Sequence, residues 1–244
     1  MHLYEVATSD LGVSTAMELC SPESGPRVVI VGGHHGDEPA GYAVAGLLSV
    51  YMRPRKGSFL IIPQANPGAV ACHKRWDLHR GRSLDLNRCY SALPVGAIPP
   101  PEQANYKRIS TPELQHAGQL LDSICGWSPD LVVDLHESYT PAGDRVPASD
   151  PGKGVLEWTV SCGARGKAVA PPEVPHVHIN QPGSLISAVE VRSGAAGIAI
   201  ETRKSPWSFQ ERVRRQMEIL GLILQRHAGF EVPLPMQQVL DSVA

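Results

Sequence analysis

Two histidines and two acidic residues follow one apolar segment, in the stretch VVIVGGHHGDEPAG (28–41). His35 and Glu38 have H-x-x-E spacing, and a tight glycine turn can bring such an imidazole and carboxylate to one metal ion. Catalytic zinc sites use about three nitrogen, sulfur or carboxylate ligands and leave a further position for water. A lone H-x-x-E is also common by chance, and spacing alone does not choose between His34 and His35. Asp37 is expected to support the amino end of a helix or a ligand's other ring nitrogen.

Two later apolar segments also end in ionisable side chains. DLVVDLHE (130–137) carries His136, and GIAIET (197–202) carries Glu201. In open α/β sheets ligands bind beyond the carboxyl ends of the strands, where the loops converge. We therefore expect His136 to be a third metal ligand, with Glu201 close to it. Each residue alone has an ordinary structural explanation, but their joint position at strand ends favours a site.

A basic stretch, DLHRGRSLDLNRCY (77–90), lies in a long segment without clear periodicity. Long irregular segments in compact domains are often functional. Asn87 and Arg88 place an amide beside a guanidinium, a pair that suits a substrate carboxylate. Arg80 or Arg82 could polarise a carbonyl beside the metal. The alternative is that these arginines only form a basic loop surface.

The elements that must position these residues alternate between strands and helices. Continuous apolar runs predict four buried strands, at 27–33, 58–64, 130–137 and 197–202. Amphipathic segments opened by proline predict three helices, from Glu38-Pro39 to Tyr51, from Thr111-Pro112 to about Cys125, and from Ser205-Pro206 to about His227. The segment 155–195 mixes signals, and VLEWTVSCG within it fits a strand or a helix. The pattern predicts one α/β domain over 1–244, with a central mixed, largely parallel β-sheet and helices on both faces.

Composition and charge are those of an ordinary globular protein. The 244 residues are 42% hydrophobic and 19% charged, with a formal net charge of −2. This charge gives no reason to expect a nucleic acid or an acidic membrane surface as a partner. No apolar run approaches about 18 residues, and MHLYEVATSD lacks the pattern of a signal peptide. Five scattered cysteines without a C-x-x-C pair indicate reduced thiols and predict a cytoplasmic protein. The sequence leaves the oligomeric state open.

Five short motifs follow one another in the chain: HGDE (35–38), NPGA (66–69), DLNR (85–88), DLHE (134–137) and IET (200–202). This ordered set resembles the zinc carboxypeptidase superfamily, and specifically its succinylglutamate desuccinylase/aspartoacylase branch, whose first motif reads HG-x-E. The resemblance spans roughly 25–205. It implies that one zinc ion is bound by His35, Glu38 and His136.

The resemblance also implies roles for other residues. Glu201 is the catalytic carboxylate, and Asn87 and Arg88 bind the carboxylate of the substrate. Arg80, seven residues before Asn87, matches the position of the branch's carbonyl-polarising arginine. Arg192 is a near match, displaced by about one residue, to a substrate-binding arginine that precedes the catalytic glutamate.

The activity that this resemblance implies is zinc-dependent hydrolysis of an amide bond next to a free carboxylate. The substrate is an N-acyl amino acid, or alternatively a short peptide or cell-wall fragment attacked by a metallocarboxypeptidase. A catalytically silent binding protein on the same scaffold is an alternative of another class. Aspartoacylase-like enzymes carry an additional C-terminal β-rich domain, whereas about forty residues follow Glu201 here and most read as one helix. No separate C-terminal β domain is therefore expected.

Overall fold

The computed structural model describes residues 1–75, 85–90, 111–138, 158–162, 165–170, 176–178 and 183–228. The strands are β1 (His2–Ser9), β2 (Gly12–Cys20), β3 (Arg27–Val31), β4 (Ser58–Ile62), β5 (Leu131–Ser138), β6 (Trp158–Cys162), β7 (His176–His178) and β8 (Ala196–Arg203). The helices are α1 (Pro39–Tyr51), α2 (Pro67–Cys72), α3 (Thr111–Gly126), α4 (Gly166–Val169), α5 (Leu185–Ser193) and α6 (Phe209–Ala228), with a 3₁₀ turn at Leu86–Arg88.

The strands of the described residues form one mixed sheet in the order β1-β2-β4-β3-β5-β8-β6-β7. Its central strands β4, β3, β5 and β8 run parallel to one another. The β1–β2, β2–β4 and β6–β8 pairs are antiparallel, and the β6–β7 pair at the other edge is parallel. The predicted α/β fold with a mixed, largely parallel sheet is confirmed.

Helices cover both faces of this sheet. Successive residues of a strand point to opposite faces, so Val28 and Ile30 join one apolar core while Val29 and Val31 join the other. Side chains of α1 and α6 complete the first core, and side chains of α3 and α5 complete the second. Each fully buried Val, Leu or Ile side chain contributes about 1.5–3 kcal/mol to stability relative to an exposed one. These two cores hold the carboxyl ends of β3, β5 and β8 at one edge of the sheet.

The long helix α6 begins later than the sequence pattern predicts. Ser205-Pro206 precedes it, and the first helical residue is Phe209. Ser208 Oγ accepts a hydrogen bond from Glu211 N at 3.3 Å, and Glu211 Oε2 accepts one from Ser208 N at 2.7 Å. This reciprocal pair is a capping box, which satisfies free N–H groups of the first turn. The local capping chemistry therefore sets the helix start, and the proline does not.

Several segments have a structure that the sequence did not assign. Residues 1–26 supply the β1–β2 hairpin, which extends the sheet beyond β4. In the ambiguous stretch VLEWTVSCG, residues Trp158–Cys162 are a strand antiparallel to β8. Residues 229–244 lie outside the described residues, so the absence of a separate C-terminal domain stays a prediction. None of the helices in the described ranges has the length and apolarity needed to cross a membrane.

A buried histidine ties helix α3 to the N-terminal hairpin. His116 Nδ1 lies 3.0 Å from Ser9 Oγ, and His116 Nε2 lies 2.9 Å from Ser14 Oγ and 3.1 Å from the carbonyl oxygen of Ala65. A carbonyl can only accept, so Nε2 carries the proton and Nδ1 accepts from Ser9. Burial is the main reason that the pKa of His116 falls to about 4.

This histidine should make the stability of the fold depend on pH. Between about pH 6.5 and pH 4 the unfolded chain binds a proton that folded His116 excludes, so the free energy of unfolding falls as the pH falls. When the pH falls from 7 to 4.5, we expect the free energy of unfolding of the metal-free chain to decrease by about 2 kcal/mol more than that of a His116→Gln variant. Urea denaturation at a series of pH values measures the difference. Equal losses in the two proteins would contradict the assignment.

Candidate active site

The turn between β3 and α1 presents His35 and Glu38. Gly33 has φ = 71°, a value that side chains disfavour, and it redirects the chain as β3 ends. Glu38 is the N-cap residue of α1 and Pro39 is the first helical residue, a position where the missing N–H of proline costs nothing. His35 Nδ1 lies 2.8 Å from Glu38 Oε1, so the short turn brings the imidazole and the carboxylate into contact.

His136 completes this group from the carboxyl end of β5. Its Nδ1 atom lies 2.8 Å from Glu38 Oε2, so the carboxylate of Glu38 stands between the Nδ1 atoms of His35 and His136. Each of the three residues is 3% exposed, and one donor atom from each lies within 4.8 Å of the others. The structure therefore brings together the three residues that were predicted as zinc ligands.

The outer nitrogen of each of these histidines faces a carboxylate. His35 Nε2 lies 2.8 Å from Asp85 Oδ1, and His136 Nε2 lies 2.8 Å from Asp134 Oδ2. Metal-binding histidines usually donate their second N–H to a carboxylate or carbonyl, which fixes the ring and its tautomer. With a metal ion bound, the proton would stay on Nε2 of each ring, and both Nδ1 lone pairs, on the side of Glu38, would be available to the ion. Two imidazoles and one carboxylate form a donor set that fits zinc.

Charge is balanced within this group. Burial opposes ionisation of Glu38, but His35 and His136 hold the pKa of its carboxyl well below the usual value. Burial likewise opposes a positive charge on His136, but Asp134 and Glu38 outweigh it and raise the pKa of that imidazole. Glu38 is therefore a carboxylate at neutral pH, the form that binds a metal ion.

A second cluster, His34 with Asp134 and His136, also has closely spaced donor atoms. His34 Nδ1 lies 2.8 Å from Asp134 Oδ1, and His34 Nε2 lies 2.7 Å from Tyr90 Oη. His34 is 0% exposed, and its two nitrogens face Asp134 and the hydroxyl of Tyr90 in the core behind His136. The cluster of His35, Glu38 and His136 is the better candidate site.

Glu201 lies on β8 directly beside His136, which is its register partner on β5. Part of its side chain is exposed, and among the described residues none forms a hydrogen bond or ion pair with its carboxylate. Desolvation by the surrounding protein raises the pKa of Glu201 to about 7, with His136 opposing the rise and Glu38 adding to it. A carboxyl that titrates near neutral pH is suited to accept and return a proton.

Arg75 is a site residue that sequence reasoning missed. Its Nη1 atom donates to Glu38 Oε1 at 2.9 Å, and its Nη2 atom donates to Asp85 Oδ2 at 3.2 Å. His73 follows helix α2 as its C-cap residue and has the left-handed φ of 51°, and the chain then returns toward the HGDE turn. Arg80 and Arg82, the arginines considered from the sequence, lie outside the described residues. The signal for Arg75 was its closeness in sequence to the NPGA motif.

Asn87 and Arg88 follow in the 3₁₀ turn at Leu86–Arg88. Asn87 Nδ2 lies 3.0 Å from His136 Nε2 and 3.4 Å from Asp134 Oδ2. Its Oδ1 accepts a hydrogen bond from Leu185 N at 2.9 Å, so Asn87 links the site to the amino end of α5. The Arg88 side chain is partly exposed and donates to the carbonyl oxygen of Asn87 at 2.6 Å.

Arg192 does not join this group in the structure, and its role in substrate binding stays a prediction. It lies in the last turn of α5 and forms an ion pair with Asp122 of α3, with 43% of its side chain exposed. It borders a surface pocket together with Ser128 and Pro129, just before β5 begins. Helix α5 leads into the amino end of β8, whereas the site is at the carboxyl ends of the strands. The five residue-to-residue steps from Ala196 to Glu201 place about 17 Å between the two ends.

Comparison with known proteins identifies the family. Residues 24–221 match the model of the succinylglutamate desuccinylase/aspartoacylase catalytic domain. The chain belongs to this family. No curated protein matches the sequence significantly.

Solved structures support the same fold for this desuccinylase/aspartoacylase family member. They include a succinylglutamate desuccinylase/aspartoacylase from Rhodobacter sphaeroides, with TM-score 0.64 and 22% identity over 95% of the chain. The ectoine utilization protein EutE (DoeB) from Ruegeria pomeroyi has TM-score 0.64 and 16% identity over 95%. The tripeptide-bound cell shape determinant Csd4 from Helicobacter pylori has TM-score 0.66 and 14% identity over 93%. The chain spans 66%, 68% and 59% of the lengths of these three proteins.

Helix α6 braces the site of this desuccinylase/aspartoacylase family member from outside. Gln216 Nε2 donates to the carbonyl oxygen of His136 at 2.7 Å. Arg212 Nη1 pairs with Glu137 Oε1 at 2.5 Å, and Glu137 Oε2 accepts from Ala40 N at 2.9 Å in the first turn of α1. The ends of β5 and α1 that carry the candidate ligands are therefore held by α6. Asp37, predicted to support the amino end of a helix or the second ring nitrogen of a ligand, pairs with Lys204 at 2.9 Å.

Gly36 should not tolerate a side chain. A Cβ atom there would lie 1.8 Å from the carbonyl oxygen of Ala69 and 2.7 Å from that of Lys74. Because these are backbone atoms, Gly36→Ala should lower the free energy of unfolding by about 1–3 kcal/mol or more and weaken metal binding by displacing His35 and Glu38. Thermal or urea unfolding and metal titration measure the two effects.

Gly46 provides the matched control for this prediction. It lies inside α1, and a Cβ atom there would meet nothing within 4 Å. Gly46→Ala should therefore raise stability by about 0.5–1 kcal/mol through helix propensity. If Gly36→Ala and Gly46→Ala changed the free energy of unfolding equally, the close approach of the α2 backbone to the HGDE turn would be contradicted.

Proposed function

We propose that this chain is a zinc-dependent hydrolase that cleaves an amide bond next to a free carboxylate, with N-acyl amino acids as its substrate class. The observation that carries the proposal is the convergence of His35, Glu38 and His136, with Glu201 on the neighbouring strand. Family membership supports the same reaction class.

His35, Glu38 and His136 would hold one zinc ion. When bound, such an ion polarises a substrate carbonyl and lowers the pKa of water toward about 7. Glu201 would take a proton from the attacking water and return it to the departing amine. Its pKa of about 7 in the metal-free protein supports a role that requires both protonation states.

Arg75 forms ion pairs with Glu38 and with Asp85, which puts its guanidinium beside the proposed zinc ligands. We assign to it the stabilisation of negative charge on the substrate carbonyl oxygen, a role that the sequence had given to Arg80 or Arg82. Loss of one such donor typically lowers the rate about 100- to 1000-fold. Arg88, whose side chain is partly exposed, would bind the substrate carboxylate while Asn87 orients it.

A metallocarboxypeptidase is the second candidate function. Csd4, which has the same fold, is described as bound to a tripeptide, so the scaffold accommodates a peptide as well. A binding protein without turnover remains the alternative of another class. Cys20, Cys72, Cys89 and Cys125 are free thiols, which agrees with a cytoplasmic location. The expected partner is a small molecule.

A substrate panel tests the proposal. The zinc-loaded chain is assayed for amine release from N-acetyl- and N-succinyl-amino acids and from short peptides, each also supplied with its free carboxylate amidated. We expect hydrolysis of acyl amino acids and little of the amidated forms, because Arg88 and Asn87 would lose their partner. Cleavage of peptides alone would favour the carboxypeptidase. No turnover of any compound would favour the binding protein.

Arginine variants test the assignment of Arg75 in the same assay. Arg75→Ala should lower kcat/KM about 100- to 1000-fold, whereas Arg214→Ala, which breaks only a surface pair with Glu218, should leave it unchanged. Arg80→Ala is the informative comparison. A large loss in Arg80→Ala together with full activity in Arg75→Ala would return the role to the residue predicted from the sequence.

A further inference from the structure

A line of buried side chains lies behind the candidate metal site and is not used by the proposed reaction. Tyr90 Oη is 2.7 Å from His34 Nε2, His34 Nδ1 is 2.8 Å from Asp134 Oδ1, and Asp134 Oδ2 is 2.8 Å from His136 Nε2. His34 and Asp134 are 0% exposed, Tyr90 is 1% exposed and His136 is 3% exposed. The line therefore runs from the core to a metal ligand without reaching solvent.

Hydrogen-bond chemistry assigns the protons along this line. A carboxylate only accepts, so Asp134 receives a proton from Nδ1 of His34 and another from Nε2 of His136. Neutral His34 then has a lone pair on Nε2, which accepts from the hydroxyl of Tyr90. With zinc bound, His136 would be neutral, and the lone pair of its Nδ1 atom, which faces Glu38, would be directed at the ion. Each hydrogen bond from Tyr90 to Nε2 of His136 then has one donor and one acceptor.

The surrounding structure holds the line in place. The rings of His34 and His136 stack with centroids 5.6 Å apart and planes 17° apart, while Tyr90 meets His34 edge-on with centroids 5.4 Å apart. Asp134 belongs to β5 and lies between β3 and β8, in register with Val31 on one side. Because the carboxylate and both rings are fixed by packing, a change at His34 is transmitted to His136 and is not absorbed by solvent.

We infer that His34 and Tyr90 are positioning residues, which set the tautomer and orientation of the metal ligand His136 through Asp134. The inference rests on the metal-binding part of the proposed function. Groups that bond to the outer nitrogen of a metal-binding histidine usually alter metal affinity about 10- to 100-fold. Here the group that accepts from the outer nitrogen of His136 is Asp134, and His34 orients Asp134. Substitution of His34 or Tyr90 should therefore also lower the metal affinity, although neither residue touches the ion.

Two substitutions of similar size at His34 test this inference. An asparagine side-chain amide can occupy the place of the imidazole Nδ1–H group and donate to Asp134, whereas leucine cannot donate. We expect His34→Leu to weaken zinc binding about 10- to 100-fold in a chelator competition and to change the visible spectrum of the Co²⁺-substituted protein. His34→Asn should keep the affinity within a few-fold of the unmodified chain and should keep the spectrum.

Equal affinities in all three proteins, or equal losses in both variants, would overturn the inference, because a packing effect does not distinguish asparagine from leucine. If His34→Leu does not fold, Tyr90→Phe serves instead, since it removes only the hydroxyl. It should weaken zinc binding several-fold, and an unchanged affinity would overturn the role of Tyr90. A stoichiometry of two zinc ions per chain would also overturn the inference, because His34 would then be a ligand.

These measurements are separate from the test of the proposed function. Zinc affinity and the Co²⁺ spectrum do not require turnover. A chain that binds zinc with the expected dependence on His34 but hydrolyses no substrate would refute the hydrolase and keep the positioning role. Full amidase activity together with a zinc affinity that does not depend on His34 would support the hydrolase and refute the positioning role.

Discussion

Replacement of Glu201 by glutamine is expected to leave one zinc ion bound per chain while it lowers kcat about 100- to 10,000-fold, the contribution usual for a general acid–base residue. Glutamine keeps the size of the side chain but cannot take a proton from water at neutral pH. The carboxylate of Glu201 makes no hydrogen bond or ion pair to another described residue, so its loss should disturb the fold little. Metal analysis and steady-state kinetics on the same preparation measure both effects.

Glu218 is the control for this substitution. It lies on the exposed side of α6 and pairs only with arginines of the same helix among the described residues, so Glu218→Gln should change neither zinc content nor kcat. If Glu201→Gln kept its zinc and its full amidase activity, Glu201 would not be the base. Loss of zinc from Glu201→Gln would instead show that this carboxylate helps to hold the metal.

The second large effect is expected at His35. His35→Ala removes one of three protein ligands and leaves Glu38 with a single imidazole neighbour, so zinc affinity should fall by more than the 10- to 100-fold typical of residues behind the ligands. Activity at limiting zinc should fall with it. Chelator competition and activity at a series of zinc concentrations provide the measurements.

The neighbouring histidine makes this prediction specific. His34→Asn should retain nearly full zinc affinity, although it differs from His35→Ala by one position in the chain. The reverse result, with zinc kept by His35→Ala and lost by His34→Asn, would exchange the two assignments. It would also favour the cluster of His34, Asp134 and His136 as the metal site.

The centre of the fold was predictable because strands buried on both faces must be apolar at every position. Val28, Val29, Ile30 and Val31 are all 0% exposed, and this gives the continuous run seen in the sequence. The β1–β2 hairpin has no such run, since its strands combine exposed and buried residues irregularly. Its position depends on pairing with β4 and on contacts with α3, and neither is visible in a local pattern.

The candidate site was predictable in part for the same topological reason. Parallel neighbouring strands must present their last residues at one edge, so His136 and Glu201 could be placed together across 65 positions of sequence. The partners behind the ligands could not be found this way. His34 and Asp134 are 100 positions apart, and their contact depends on which ring nitrogen faces which strand.

Arg192 and Arg75 show two ways in which distance along the chain differs from distance in the fold. Arg192 stands nine positions before Glu201, but the strand between them runs the length of the sheet and carries them to opposite ends. Arg75 stands ten positions before Asp85 and contacts it. Two residues that are close in sequence can be far apart in space when a strand lies between them. The direction of that strand is then needed to place them.

The bracing helix α6 has a consequence for the order in which the protein acquires its site during synthesis. All three predicted ligands have been made once residue 136 is added. The carbonyl oxygen of His136 and the hydroxyl of Thr202 nevertheless bond to Gln216 of α6, and residues of α6 also cover the apolar face beneath β5 and β8. A growing chain that lacks this helix has its predicted ligands on a sheet with one face covered by α1 but not by α6. We therefore expect the candidate metal site to form late in folding, because Gln216 follows His136 by 80 positions in the chain.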